Sequence, residues 1–167
     1  MRQALLNEID AARQLLQISS ADFRPLPFTT DWHKLEERIY QRFCRIDGKS
    51  RPSWLWASFK HEAYSLQLTV PAHTILHNLV PSDEVVWLMA YDGSRFYFYE
   101  GLLTAIKRII LELTYVMDEY YLISKKLDWL FCENHHDVLI GTGSFAIQQL
   151  RAFTQQFPEL VTAAYPA

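Results

Sequence analysis

The second half of the chain contains three short hydrophobic runs that polar residues separate. The runs are Glu119–Ser124, Asp128–Glu133 and Asp137–Ile140, and they are rich in Tyr, Ile, Leu, Trp and Phe. Short runs of this composition are typical of β-strands, whereas a surface helix needs one polar face. The pattern therefore predicts three consecutive strands, with turns at Lys125–Lys126 and at 134–136.

Five other segments show the spacing or the boundary residues of helices. Apolar residues recur every three or four positions, and the second helix begins with a suitable N-cap residue, Asp31. A short helix is predicted to follow Pro71, and Pro158 ends the last one. The predicted helices are Leu5–Leu16, Trp32–Phe43, Pro71–Leu79, Leu102–Thr114 and Ser144–Phe157.

A β-hairpin is predicted between the short helix and the helix at 102–114. The runs Glu84–Tyr91 and Arg95–Tyr99 flank Asp92, Gly93 and Ser94. Gly93 can supply the positive φ that a tight connection requires. Residues 49–70 mix aromatic residues with helix and strand formers, and they predict either a strand or an irregular cover.

The order of these elements indicates an α+β fold. Short connections between neighbouring strands favour antiparallel pairing. We expect a mostly antiparallel sheet of about five strands, with helices packed on one face and two helices at the N-terminus. The prediction is one domain, 1–167, with an N-terminal helical pair at 1–48 and a core of sheet and helices at 84–157.

Composition and charge narrow the class of protein. The chain is 50% hydrophobic and 21% charged, with a net charge of −3, which is typical of a soluble globular protein and argues against a nucleic-acid partner. No hydrophobic stretch approaches the length of a membrane span, and no signal peptide is recognisable, so a cytoplasmic location is expected. Cys44 and Cys132 are interpreted as buried thiols.

Polar chemistry concentrates in the second turn of the three-strand unit, at Glu133, Asn134, His135, His136 and Asp137. Imidazole and carboxylate groups together can bind metal or transfer protons near neutral pH. Adjacent histidines on an extended chain point in opposite directions, which makes it difficult for both to bind one ion. The favoured interpretation is a polar turn in which Asn134 and Asp137 bond to the backbone.

A composite metal site is the alternative interpretation. His73 and His77 have the i, i+4 spacing of helical zinc ligands and are candidate partners for His135 and His136. The three residues between them are Thr, Ile and Leu, so the general-base glutamate of a metalloprotease helix is absent. The sequence also contains no phosphate-binding or hydrolase motif. The sequence predicts no cofactor.

Two segments, YDGSRFYFYEG and EYYLISKKLDWLFCENHHDVLIGTG, carry a resemblance to a known family. They resemble small, uncharacterised bacterial proteins that share a run of Trp, Glu, Asn, His, His and Asp. This resemblance extends over about 84–150. The order of hairpin, helix and meander is also similar to that of SUKH-type immunity proteins, which implies a protein that neutralises a toxin by binding it.

The predicted function is binding of another protein, of the immunity or antitoxin kind, without catalysis. The binding residues are expected in the 133–137 turn and at Trp129, with Tyr97, Tyr99 and Tyr120 as further exposed anchors. The rival prediction is a metal-dependent enzyme centred on 133–137. A third is a small-molecule sensor with a pocket beneath the sheet.

Overall fold

The computed structural model describes residues 4–48 and 51–166, and one antiparallel sheet of eight strands lies at the centre of this part of the chain. In chain order the strands are β1 (Phe23–Pro25), β2 (Ala63–Leu68), β3 (Val85–Tyr91), β4 (Phe96–Leu102), β5 (Glu119–Ser124), β6 (Leu130–Glu133), β7 (Val138–Thr142) and β8 (Val161–Pro166). Across the sheet the order is β1-β4-β3-β5-β6-β7-β2-β8. Every neighbouring pair is antiparallel.

Five α-helices surround the sheet in the described residues, and the α+β class is confirmed. They are α1 (Ala4–Leu15), α2 (Trp32–Phe43), α3 (Leu76–Leu79), α4 (Leu103–Leu113) and α5 (Ser144–Gln156). Short 3₁₀ helices occur at Trp56–Ser58, Ala72–Thr74 and Pro158–Leu160. None of the helices in this part of the chain has the length and hydrophobicity to cross a bilayer. The predictions for 1–3, 49, 50 and 167 fall outside the described residues.

The elements with strong local signals form close to their predicted positions. The hairpin of β3 and β4 turns at Gly93, whose φ is +85°, and the Asp92 side chain accepts hydrogen bonds from the backbone N–H groups of Ser94 and Arg95. Asp31 caps α2 by accepting a hydrogen bond from the Lys34 N–H at 3.2 Å. Strands β5, β6 and β7 lie within two residues of the three predicted runs.

Helices cover both faces of the sheet, so the prediction of helices on one face is wrong. Leu88 of β3 and Leu122 of β5 pack with apolar residues of α1, α3, α4 and α5, on what we call the four-helix face. Met89 and Tyr121, which alternate with them, pack on the other side with α2, on what we call the α2 face. Because successive strand residues point to opposite faces, a strand whose residues are all apolar needs a covering layer on each face of the sheet.

The prediction of about five strands is also wrong, because three strands lie outside the predicted core of 84–157. β1 has three residues and ends in a proline, and β8 has no buried residue. β2 lies between β7 and β8, with Ala63 opposite Thr142 and Leu66 opposite Ala164. The partners of these strands are distant in sequence, so local hydrophobic patterns give little sign of them.

A buried carboxylate joins the two strands at one edge of the sheet to the turn after β5. Glu100 of β4 accepts hydrogen bonds from Arg24 of β1 at 2.6 Å and from Lys125, in the turn after β5, at 3.0 Å. Burial alone would raise the pKa of Glu100, but the hydrogen bonds and charges of the two basic groups outweigh that effect and lower it. Glu100 therefore holds β1 against β4 as an ionised group.

Replacing this carboxylate by a neutral amide should destabilise the fold in a pH-dependent way. Glu100→Gln is expected to lower the free energy of unfolding by about 1–3 kcal/mol at pH 7, because three charge-assisted hydrogen bonds, two from Arg24 and one from Lys125, are weakened. The unfolded-state pKa of Glu is about 4.3. Since the folded-state value is lower, the difference between wild type and variant should be fully present above that pH and should shrink as the pH falls through the folded-state pKa.

Urea denaturation at several pH values measures this difference. The matched control is Glu62→Gln, which removes an exposed ion pair with Arg151 and should cost less than about 0.5 kcal/mol. A Glu100→Gln effect that equals the control, or that stays constant down to pH 3, would contradict the assigned role.

Candidate functional site

The polar segment between β6 and β7 is a tight turn built on one side chain. Asn134 is buried, and its Oδ1 accepts hydrogen bonds from the N–H groups of His136 at 3.0 Å and Val138 at 3.1 Å. The Asp137 N–H donates to the Asn134 carbonyl, and Asp137 has a φ of +57°. This is an arrangement that Asn favours because its short side chain can replace backbone acceptors. Asn134 thus bonds to the backbone of the turn, as predicted.

The turn places the two neighbouring histidines side by side. The ring centroids of His135 and His136 are 4.2 Å apart, and both rings approach Trp56 at about 6 Å. The expectation that these side chains point in opposite directions is wrong, because it assumed an extended chain and the backbone here is turned. The two imidazoles lie with Trp54 on the surface of the α2 face, where the Trp54 and His135 centroids are 5.1 Å apart.

A fully buried carboxylate lies beneath these rings. Glu119 of β5 has no exposed side-chain surface. Its Oε1 accepts a hydrogen bond from the Tyr121 hydroxyl at 2.6 Å, and its Oε2 accepts one from the Trp56 indole N–H at 3.1 Å. His135 Nδ1 lies 3.4 Å from the same Oε2. A buried charge is tolerated only when it is satisfied in this way, so the group joins the 51–58 segment to the sheet and to the histidine turn.

The two thiols on this face, Cys44 and Cys132, are not activated as nucleophiles. Burial raises the pKa of Cys44 to about 12, and burial together with the charge of Glu119 raises that of Cys132. Both cysteines are free and buried, as predicted. Since the thiolate is the nucleophilic form, neither residue is poised to attack a substrate.

The histidines of the alternative metal site do not converge. His73 is buried in a 3₁₀ turn, whereas His77 is exposed in α3 and its Nδ1 lies 2.8 Å from Lys107 Nζ. The i, i+4 rule does not apply, because one continuous helix does not contain both residues. Within 4–48 and 51–166, no group of three or more His, Cys, Asp or Glu side chains is arranged to hold a metal ion.

The aromatic residues predicted as exposed anchors are buried. On the four-helix face lie Tyr97, Tyr99 and Tyr120, in one apolar cluster with residues of α1 and α4. Trp129 is also buried there, in contact with Phe131 and Phe145. The prediction that these rings are exposed is therefore wrong, since they pack in the core.

Different aromatic residues are exposed, and two of them line a groove of about 860 Å³ at the β1–β4 edge. Phe28 is fully exposed and Trp32 is 45% exposed. Both line this groove with Pro25, Leu26 and Pro27. Sequence reasoning missed it, although the run Pro-Leu-Pro-Phe just before the N-cap of α2 is the local signal: Pro prevents regular structure and leaves the following ring without a packing partner.

The groove follows the part of β4 that extends past β1. Pro25, the last residue of β1, lies opposite Tyr99, and the Leu26 N–H then reaches the Phe98 carbonyl at 3.4 Å. The chain next turns at 27–30, with a hydrogen bond from the Thr30 N–H to the Pro27 carbonyl. β4 itself begins earlier, at Phe96. The start of β4 therefore borders an aromatic-lined groove.

Together these features define a class of protein, an α+β protein with one antiparallel sheet between two helical layers and an aromatic groove at the sheet edge. The sequence matches DUF6756, a family of unknown function, over residues 1–154, and the chain belongs to this family. This match confirms the prediction that the chain belongs to an uncharacterised family. No curated protein matches the chain.

Removing the Tyr121 hydroxyl should test the buried carboxylate network. Tyr121→Phe leaves Glu119 Oε1 without its donor, and we expect a loss of roughly 1–3 kcal/mol in the free energy of unfolding. Urea denaturation followed by tryptophan fluorescence measures this change. Tyr165→Phe, at a ring that is 55% exposed, is the control, and equal effects of the two variants would show that the network contributes nothing.

Proposed function

We propose that this protein acts by binding another protein, with the groove beside β4 as the centre of the contact surface. The observation that carries the proposal is the exposure of Phe28 and Trp32 at a groove of about 860 Å³ along the sheet edge. Exposed aromatic residues that border a cleft are characteristic of interface anchors. The partner contributes an apolar segment that packs against these two rings in the groove.

The same surface extends towards the histidine turn. Pro52 and Ser53 line the groove, and Trp54, which is 43% exposed, follows them directly. Trp54 in turn contacts His135. We therefore include His135 and His136 in the proposed contact surface as its outer part, where Glu119 and Trp56 hold the rings in place.

A protein partner fits the charge of the chain better than a nucleic acid does. The net charge is −3, whereas binding along a phosphate backbone requires clustered Lys and Arg. Free, buried thiols at Cys44 and Cys132 support a reducing compartment, which agrees with the proposed bacterial cytoplasm. The resemblance to immunity proteins supports a toxin as the partner, neutralised by a one-to-one complex without catalysis.

Truncating the exposed anchors should weaken the complex without unfolding the protein. Affinity capture from the native host identifies the partner, and calorimetry with the purified partner then measures the dissociation constant. Phe28→Ala and Trp32→Ala are each expected to raise this constant at least about tenfold, or ~1.4 kcal/mol. For Phe28→Ala, the free energy of unfolding should change by less than about 0.5 kcal/mol.

Tyr165→Ala is the matched control, because it removes an exposed ring at β8, the opposite edge of the sheet. Its dissociation constant should equal that of the wild type. Two results would contradict the proposal: a partner that binds both groove variants with wild-type affinity, or the failure of any stoichiometric partner to co-purify under several growth conditions.

A further inference from the structure

Two imidazole rings lie side by side at the surface of the 133–137 turn. The ring centroids of His135 and His136 are 4.2 Å apart, and both residues are exposed. Neutral imidazole is the commonest side-chain ligand of divalent transition metals. The sequence argument against a shared ion assumed an extended chain, whereas the turn brings the rings together. What the pair can bind therefore depends on which ring nitrogens carry a lone pair.

The buried carboxylate of Glu119 decides which nitrogen of His135 carries the proton. His135 Nδ1 lies 3.4 Å from Glu119 Oε2, an oxygen that also accepts the Trp56 indole N–H. Because a carboxylate oxygen accepts hydrogen bonds, Nδ1 faces it with its N–H, and the lone pair of the neutral ring is on Nε2. The Glu119 side chain is completely buried, whereas that of His135 is 32% exposed. Nε2 is therefore the nitrogen that is available to a ligand.

A carboxylate behind a histidine is the arrangement that supports histidine ligands of metal ions. Such a histidine almost always donates its other ring N–H to a carboxylate, a backbone carbonyl or water, which fixes the ring and makes the coordinating nitrogen more basic. Glu119 is itself held in place by the Tyr121 hydroxyl at 2.6 Å and by the Trp56 indole at 3.1 Å. The supporting layer of a metal site is thus already present beneath His135.

The neighbouring ring of His136 is also able to coordinate an ion. Among the residues that the structure describes, this ring contacts His135 and Trp56 but makes no hydrogen bond. The turn beneath it is held by Asn134, whose Oδ1 accepts hydrogen bonds from the N–H groups of His136 and Val138. Both rings are therefore fixed next to each other before an ion arrives, which lowers the entropic cost of binding.

We propose that His135 and His136 together bind one divalent transition metal ion of the class that prefers imidazole, Zn²⁺, Ni²⁺ or Cu²⁺. His135 coordinates the ion through Nε2 while its Nδ1–H remains on Glu119. Water or donor atoms of another molecule fill the other positions, because no group of three or more His, Cys, Asp or Glu side chains within 4–48 and 51–166 is arranged to hold an ion. The site does not depend on the proposed protein partner.

Metal titration of the full-length, untagged protein tests this assignment. By calorimetry, Zn²⁺ should bind at one ion per chain and at least about 100-fold more tightly than Mg²⁺, which prefers oxygen ligands. The ring centroids of Trp54 and Trp56 lie 5.1 and 5.9 Å from that of His135, so paramagnetic Cu²⁺ should quench part of the tryptophan fluorescence. Equal affinity for Zn²⁺ and Mg²⁺, or no binding of Zn²⁺ up to about 1 mM, overturns the proposal.

Substitution of the two histidines localises the binding. His135→Gln and His136→Gln should each raise the Zn²⁺ dissociation constant at least about tenfold and reduce the quenching by Cu²⁺. The matched control is His33→Gln, because His33 is also exposed and lies beside a tryptophan, with its ring centroid 3.4 Å from that of Trp32. This control should leave Zn²⁺ binding unchanged. Wild-type affinity in both folded histidine variants overturns the site.

Glu119→Gln tests the part of the carboxylate. An amide in place of the carboxylate no longer fixes the Nδ1–H of His135, and Zn²⁺ binding should weaken about 10–100-fold. Wild-type affinity in the folded variant overturns the part assigned to Glu119. If urea denaturation shows that this variant does not fold, the two histidine variants decide the site, because both of those residues are exposed.

Discussion

The middle strands of the sheet bury both of their faces, and the rest of the fold depends on this requirement. Leu88 and Met89 are neighbours on β3, yet they belong to separate cores on opposite sides of the sheet. One helical layer cannot cover such a strand. The chain therefore supplies four helices to one face, and to the other it supplies α2 with the segment that follows it. Burial of this kind is the main source of folding free energy.

The α2 face needs an additional stabilising contact, because the irregular segment at 51–58 forms part of its cover. Glu119 provides it by accepting hydrogen bonds from both Trp56 of that segment and Tyr121 of the sheet. The same carboxylate lies beside His135. The histidine turn, which has the most concentrated polar chemistry in the sequence, is thus part of a structural junction, and its exposed rings extend the aromatic surface. The proposed binding function uses a surface that this junction holds rigid.

Local signals predicted the elements that depend on neighbouring residues. Asp31 caps α2 and Gly93 forms the hairpin turn, because each acts within a few positions of itself. Strand β2 was ambiguous and β8 was missed, because their positions depend on partners far along the chain. The alternation of β4 could not show whether Tyr97 or Phe98 would be exposed, since helices cover both faces. The exposure predicted for aromatic residues in strands was therefore wrong, and the exposed ring of Phe28 lies in a loop.

Site-specific photocrosslinking in the native host tests the central claim most directly. A photoreactive phenylalanine analogue at Phe28 places the probe at the groove, and the same analogue at Tyr165 places it at the opposite sheet edge. The account predicts one discrete crosslinked protein from position 28, formed in a one-to-one complex, and none from position 165. No crosslink at position 28, or the same products from both positions, would contradict a function carried by the groove beside β4.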